Sequence, residues 1–184
     1  MVRLFVGLDL PEAARLRLSM LCGGVPGAAW VPPENFHVTL RFIGKVAEDT
    51  VADIDHVLRA IQVPVFSLSL AGIGTFGSGQ KRHALWVGVE NSPVLQRLHD
   101  KVDQAMVCIG LGANDRKFLP HVTLAHLKAA PVTRVYDFVT QYNLLRFGPL
   151  TVERFILFSS HLGHAGPTYA VETDYPLLEE DARA

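Results

Sequence analysis

The feature that most constrains this chain is a short stretch that occurs twice. Phe36-His37-Val38-Thr39-Leu40 is echoed 84 residues later by Pro120-His121-Val122-Thr123-Leu124. A looser match accompanies it: Leu4-Phe5-Val6-Gly7-Leu8 and Leu85-Trp86-Val87-Gly88-Val89, offset by 81. Both of these runs alternate in the manner of half-buried strands, and each is followed by an acidic residue and a proline (Asp9 and Pro11, Glu90 and Pro93). Two offsets so close together predict a duplicated architecture in which the first copy runs strand, helix, strand, helix, strand and the second runs the same order with one more strand at its end.

The remaining patterns fill in that scheme. Helical spacing of apolar residues is read over 11–21, 48–61, 92–107 and 133–142, with Ser92 placed to cap the third. Further strands are read over 65–71, 151–159 and 169–175. The glycine-rich stretch 72–80 reads as the connection between halves, and 178–184 as a loose acidic tail. The expected fold class is α+β. It is a duplicated bilobal fold, two antiparallel sheets lining a central cleft with helices on the outside. One domain over 1–184 is expected, with lobes of approximately 1–75 and 82–177 and exchange of terminal strands between them left open. Neither half is large enough to be comfortable alone.

Side chains alternate faces along a strand, so His37 and Thr39 share one face, as do His121 and Thr123, while Val38, Leu40, Val122 and Leu124 point into apolar packing. An isolated His-x-Thr on a strand is usually structural. Core packing, however, has no reason to place histidine and threonine twice at the same parity. Two imidazoles across one cleft suit in-line hydrolysis of a phosphodiester. One ring takes a proton from water and the other gives a proton to the leaving oxygen. The threonine hydroxyls can donate to the non-bridging phosphate oxygens, where charge gathers in the transition state. A strained five-membered cyclic phosphate is an especially reasonable substrate. No metal and no cofactor is called for.

Composition narrows the setting. Hydrophobic residues make up 49% and charged residues 19%, which excludes intrinsic disorder. The formal net charge of −1 argues against a coat for long duplexes and leaves room for a short anionic ligand in a local pocket. No apolar run reaches membrane-span length, and the N-terminus lacks a signal-peptide layout. Cys22 and Cys108 read as buried thiols, so a cytoplasmic location is expected, with neither a membrane nor an obligate protein partner implied. Two rivals remain at this point. A metallohydrolase would draw ligands from His121, His126, His161 and His164, but five residues along a regular strand put His121 and His126 on opposite faces. A non-catalytic binder of nucleotides or RNA ends would use the same cleft without turnover.

At these residues the chain resembles the 2H phosphoesterase superfamily, and within it the bacterial RNA 2′,3′-cyclic phosphodiesterases, also called 2′-5′ RNA ligases. The resemblance runs through the opening Arg3-Leu4-Phe5-Val6-Gly7, the segment 30–44 around the first motif, Gly74-Thr75-Phe76, Leu85-Trp86-Val87-Gly88, the segment 118–125 around the second, and Gly166-Pro167-Thr168-Tyr169. It implies metal-independent opening of a 2′,3′-cyclic phosphate on RNA 3′ ends or nucleotides, leaving a 2′-phosphate. The reverse reaction with an RNA 5′-hydroxyl would form a 2′-5′ linkage. It implies that His37 is the proton donor, His121 the proton acceptor, and Thr39 and Thr123 the phosphate contacts. Another small cyclic phosphate or a 2′-5′-linked nucleotide as substrate stays open. One position departs: where family members often carry arginine five residues after the second histidine, this chain has His126, which lacks arginine's permanently charged fork. Arg41 is a candidate to supply that charge, with Arg116 and Lys117 on the rim. Phe118 and Tyr169 are candidates to stack on a base.

Overall fold

The structure, a computed structural model, describes residues 1–78, 81–114, 116–163 and 166–179. In chain order it contains β1 (Val2–Asp9), α1 (Glu12–Ser19), β2 (Ala28–Trp30), a single 3-10 turn (Pro33–Asn35), β3 (His37–Val46), α2 (Glu48–Arg59) and β4 (Phe66–Phe76). Then follow β5 (Ala84–Val89), α3 (Pro93–Cys108), β6 (His121–Leu127), α4 (Val132–Tyr142), β7 (Arg146–Val152), β8 (Arg154–Gly163) and β9 (Gly166–Pro176).

The helices form where an apolar stripe meets a suitable start. In α3 the stripe is Leu95, Leu98, His99, Val102 and Met106. Pro93 occupies the first turn, where a missing N–H costs nothing, and the Ser92 hydroxyl accepts from the Leu95 amide at 3.2 Å. Cys108, the last residue of this helix, falls off the stripe. It is exposed, not buried as the sequence suggests, while Cys22 is half-buried and its thiol is pushed up to about 11 by that burial. Among the described residues no helix is long and apolar enough to cross a membrane.

The strands pair in the order β7-β4-β5-β6-β3-β1-β8-β9. Two antiparallel halves meet at β6 and β3, where the pairing is Val38 with Val122. Beyond that point β3 diverges, and β2 takes over the free edge of β6, pairing Ala28–Trp30 with Leu127–Ala125. The main core gathers Leu4, Val6, Leu8, Val38, Leu40, Leu85, Val87, Val122 and Leu124 with the buried faces of the helices. On the opposite sheet face lies a smaller cluster of Phe5, Ile156 and Phe158, with Tyr169 against it.

The strand partition differs from the sequence split at 1–75 and 82–177. The half containing β4, β5, β6 and β7 is drawn almost wholly from 66–152, and the half containing β1, β3, β8 and β9 from the two flanking segments. The run read as one strand over 151–159 is two: the chain passes from one half to the other at Glu153. The stretch 72–80 is not simply a connection either. β4 continues to Phe76; Gly72 (φ 70°) sits in a bulge, and a Cβ on Gly74 would collide with the Trp86 indole across the ladder. Residues 79 and 80, its end, lie outside the described residues. The expected loose tail is tied down at its start: the Leu178 amide donates to the Val63 carbonyl, and the Val65 amide donates to the Leu178 carbonyl. Residues 180–184 lie outside the described residues.

Candidate active site

The Val38–Val122 pair buries both valines, so the residues on either side of each turn to the other face. Antiparallel register sets His37 toward Thr123, and Thr39 toward His121. His37, Thr39, His121 and Thr123 therefore share one face of the sheet at the seam between the halves, where Thr39 and His121 line a cavity.

The two histidines are held in the same way. Nδ1 of His37 donates to the Asn35 carbonyl at 2.7 Å, and Nδ1 of His121 donates to the Leu119 carbonyl at 2.6 Å. Each carbonyl belongs to the residue two before the histidine. With Nδ1 carrying the proton, Nε2 of each neutral ring is an acceptor. Nε2 of His37 lies 3.0 Å from Thr39 Oγ1, which donates to it. Burial lowers the pKa of both rings; the Asn35 and Leu119 carbonyls oppose the shift, and His121 lowers His37 further. Both rings are therefore poised below the usual 6.5 for histidine.

Their surroundings differ. The His37 ring is packed by Phe5 (centroids 4.8 Å), Phe158 (6.2 Å) and, edge-on, Tyr169 (5.1 Å). Phe76 meets His121 edge-on at 4.7 Å, with Trp86 at 6.1 Å. The His121 side opens into a cavity of about 620 Å³ lined by Thr39, Phe42, Phe76, His83, Asn114, Arg116, Lys117 and Phe118 among others. Phe118 stacks on His99 at 3.9 Å and lines this cavity, so a base could meet its free face. Tyr169 is engaged with His37 and Phe5.

Arg41 is a correction. A bulge at Leu40 lets Thr39 pair with Gly7 and Arg41 with Val6, which reverses the parity expected from a regular strand. Arg41 consequently points away from the cleft. It is buried against α3, with Nη1 2.6 Å from Asp103 and Nη2 donating to the Gly112 carbonyl at 2.7 Å. Phe42 takes its place on the cleft face, 70% exposed.

A matching bulge at Leu124 corrects the relation between His121 and His126. Four steps along β5, from Gly88 to Ala84, span the five steps from His121 to His126, so both histidines share the cleft face. They stand about 13 Å apart along the strand. His126 is exposed, one row beyond Thr123, in the position Phe42 holds in the first copy. His161 bonds Ser159 Oγ at 3.1 Å, three strands from β6 and roughly 14 Å away, so these rings do not form one ligand set. His164 lies outside the described residues.

Comparison with known proteins accords with this geometry. Residues 11–164 match the 2′-5′ RNA ligase superfamily. The chain belongs to that superfamily. It is 32% identical to the RNA 2′,3′-cyclic phosphodiesterase of Archaeoglobus fulgidus, covering 91% of this chain and 96% of that protein. It is 35% identical to the Aeropyrum pernix protein of the same name, covering 85% and 89%. Among solved structures, TT0787 of Thermus thermophilus superposes with a TM-score of 0.79 at 27% identity, over 95% of this chain and 97% of that one. The apo form of E. coli LigT, at 22% identity, shares the fold with a TM-score of 0.75 over 96% and 97%.

Several features of this superfamily member escape sequence reasoning. The Asn35 and Leu119 carbonyls act through backbone, which carries no side-chain signature; their common place two residues before each histidine was the available signal. The Asn35 side chain also donates to the Pro167 carbonyl at 2.8 Å, tying the 3-10 turn to β9. Phe42 and Phe76 enter the cleft through bulged strands, which a period of two misplaces.

Proposed function

We propose that this chain hydrolyses RNA 2′,3′-cyclic phosphate termini to 2′-phosphomonoesters by metal-independent acid–base catalysis with two histidines. The observation that carries the reading is the shared anchoring of His37 and His121, each Nδ1–H fixed to a carbonyl, on strands that meet at the cleft. The names of the Archaeoglobus and Aeropyrum relatives support the substrate class.

In this mechanism His121 Nε2 accepts a proton from water as the water oxygen attacks phosphorus. His37, protonated at Nε2, gives that proton to the departing 3′-oxygen. The products are a 3′-hydroxyl and a 2′-phosphate, and the proton gained by His121 returns to His37 through solvent. A lowered pKa makes protonated His37 a strong acid and leaves His121 a free base at neutral pH. Thr39 and Thr123 donate to the non-bridging oxygens, with Thr39 Oγ1 released from His37 when the ring is protonated. His126, Phe118 and Tyr169 are assigned to the substrate's surroundings. An RNA 5′-hydroxyl in place of water gives 2′-5′ ligation by the same displacement, with the 3′-oxygen leaving. Cys22 and Cys108, both free thiols, suit a reducing cytoplasm.

The test is product analysis on a short RNA ending in a 2′,3′-cyclic phosphate, with chelator present throughout. The expected product is the 2′-phosphate at an undiminished rate. A 3′-phosphate product, loss of activity on chelation, or recovery of unchanged RNA would each overturn the proposal.

A further inference from the structure

The cleft face of the first half continues past the catalytic row. β3 carries a second bulge at Ile43, so Phe5 pairs with Phe42, Leu4 with Gly44, and Arg3 with Lys45. The two bulges together bring Lys45 back to the parity of His37 and Thr39. Successive rows on this face are thus Thr39–Gly7, Phe42–Phe5 and Lys45–Arg3. The last row lies four residues along β1 from the first, roughly 13 Å away.

Arg3 and Lys45 are both exposed and directly opposed across the ladder. Like charges in that arrangement repel unless something neutralises them. Among the described residues no carboxylate does so: the nearby Met1 amino group lies 4.0 Å from Glu48, while the other acidic partners serve Arg41, Arg59, His99, Arg146 and Arg154. Arg3 is also near enough to Tyr169 to lower its pKa against the upward push of burial, which places this charge beside the ring that packs His37. Between the cationic row and the catalytic row stands the exposed ring of Phe42, an open π-face of the kind on which a base stacks.

We propose that Arg3 and Lys45 form a second anion site that holds a backbone phosphate of the RNA chain. The inference rests on the reading of the catalytic cleft above and names the substrate class more closely. A row about 13 Å from the threonines is too distant to grip the reacting phosphate itself. Because the cyclic phosphate is the 3′ terminus, any other phosphate of the same chain lies on its 5′ side. The site therefore selects an oligonucleotide over a mononucleotide. Phe42 occupies the interval, where the bases between the two phosphates pass.

The experiment compares wild type with the Arg3→Gln/Lys45→Gln double variant on two substrates, a nucleoside 2′,3′-cyclic phosphate and a single-stranded RNA hexamer with the same terminus. The ratio of kcat/KM for hexamer over mononucleotide is expected to fall by about fivefold in the variant. The slope of log kcat/KM for the hexamer against log salt is expected to become shallower by about 0.7 for each phosphate no longer neutralised. Arg97→Gln/Lys101→Gln, on the exposed surface of α3, should leave the ratio as it is in wild type. An unchanged ratio in the Arg3/Lys45 variant, or an equal fall in the control, would overturn the site. Binding of a labelled hexamer ending in a 2′-phosphate, followed by anisotropy, supplies an arm independent of turnover. If wild type cleaves neither substrate, the catalytic reading fails; weaker hexamer binding by the double variant still upholds the anion site, and equal binding removes it.

Discussion

Val38 pairs with Val122, and that contact joins the two halves of the sheet edge to edge. Because both side chains are buried, their neighbours are committed to the opposite face, and the histidines on either side of the seam are brought to one groove. The proposed catalytic arrangement is a consequence of where two valines are packed.

Replacing either histidine should abolish turnover. His37→Ala and His121→Ala are each expected to lower kcat by about 10²–10⁴-fold, the usual contribution of one general acid or base. Circular dichroism should remain that of wild type. A variant retaining near-normal turnover would remove the two-histidine mechanism.

The same rings make stability sensitive to acid. Both are held below their ordinary value of 6.5 by burial. As pH falls through 6.5 the unfolded chain takes up protons before the folded one. Stability therefore declines from that point down through the lower folded values, and is constant with respect to these groups at higher pH. Urea midpoints between pH 7.5 and 5 should drop in wild type and drop less in a His37→Asn/His121→Asn variant.

His126 faces the groove one row beyond Thr123, at the position where the family resemblance leads us to expect arginine. His126→Arg is expected to tighten inorganic phosphate binding by roughly tenfold, about 1.5 kcal/mol for a charge-assisted hydrogen bond. The inhibition constant of phosphate measures this, and an unchanged constant would place the residue beyond the phosphate's reach.

Arg41 is expected to matter for stability, not for phosphate. Arg41→Met strands Asp103 and the Gly112 carbonyl and should cost about 3 kcal/mol, the low end for a broken buried pair because Asp103 retains some solvent. Adding Asp103→Leu should recover much of the loss in a urea titration. A larger effect of Arg41→Met on phosphate affinity than on the urea midpoint would reverse this assignment.

The contrast between Arg41 and His37 marks the limit of legibility. His37, Thr39, His121 and Thr123 were readable because each motif is short enough to precede the first irregularity in its strand. Arg41, Phe42 and His126 come after a bulge, and a bulge is set by the register of the neighbouring strand, which no local pattern encodes. The glycines at 72 and 74 misled for a related reason: the residues that punctuate turns also accommodate a bulge and an indole. The crossing at Glu153 was hidden because two strands in different halves follow one another almost without a break.

That crossing has a bearing on how the protein comes into being. The half bearing His121 has almost all its strands once synthesis has passed Val152, whereas β1 and β3 lack β8 and β9 until Pro176 has been made. Phe158 and Tyr169, which wall in His37, are translated after every part of the other imidazole's support. A nascent chain thus carries His121 on a half whose strands are nearly all made while His37 still lacks the rings that pack it.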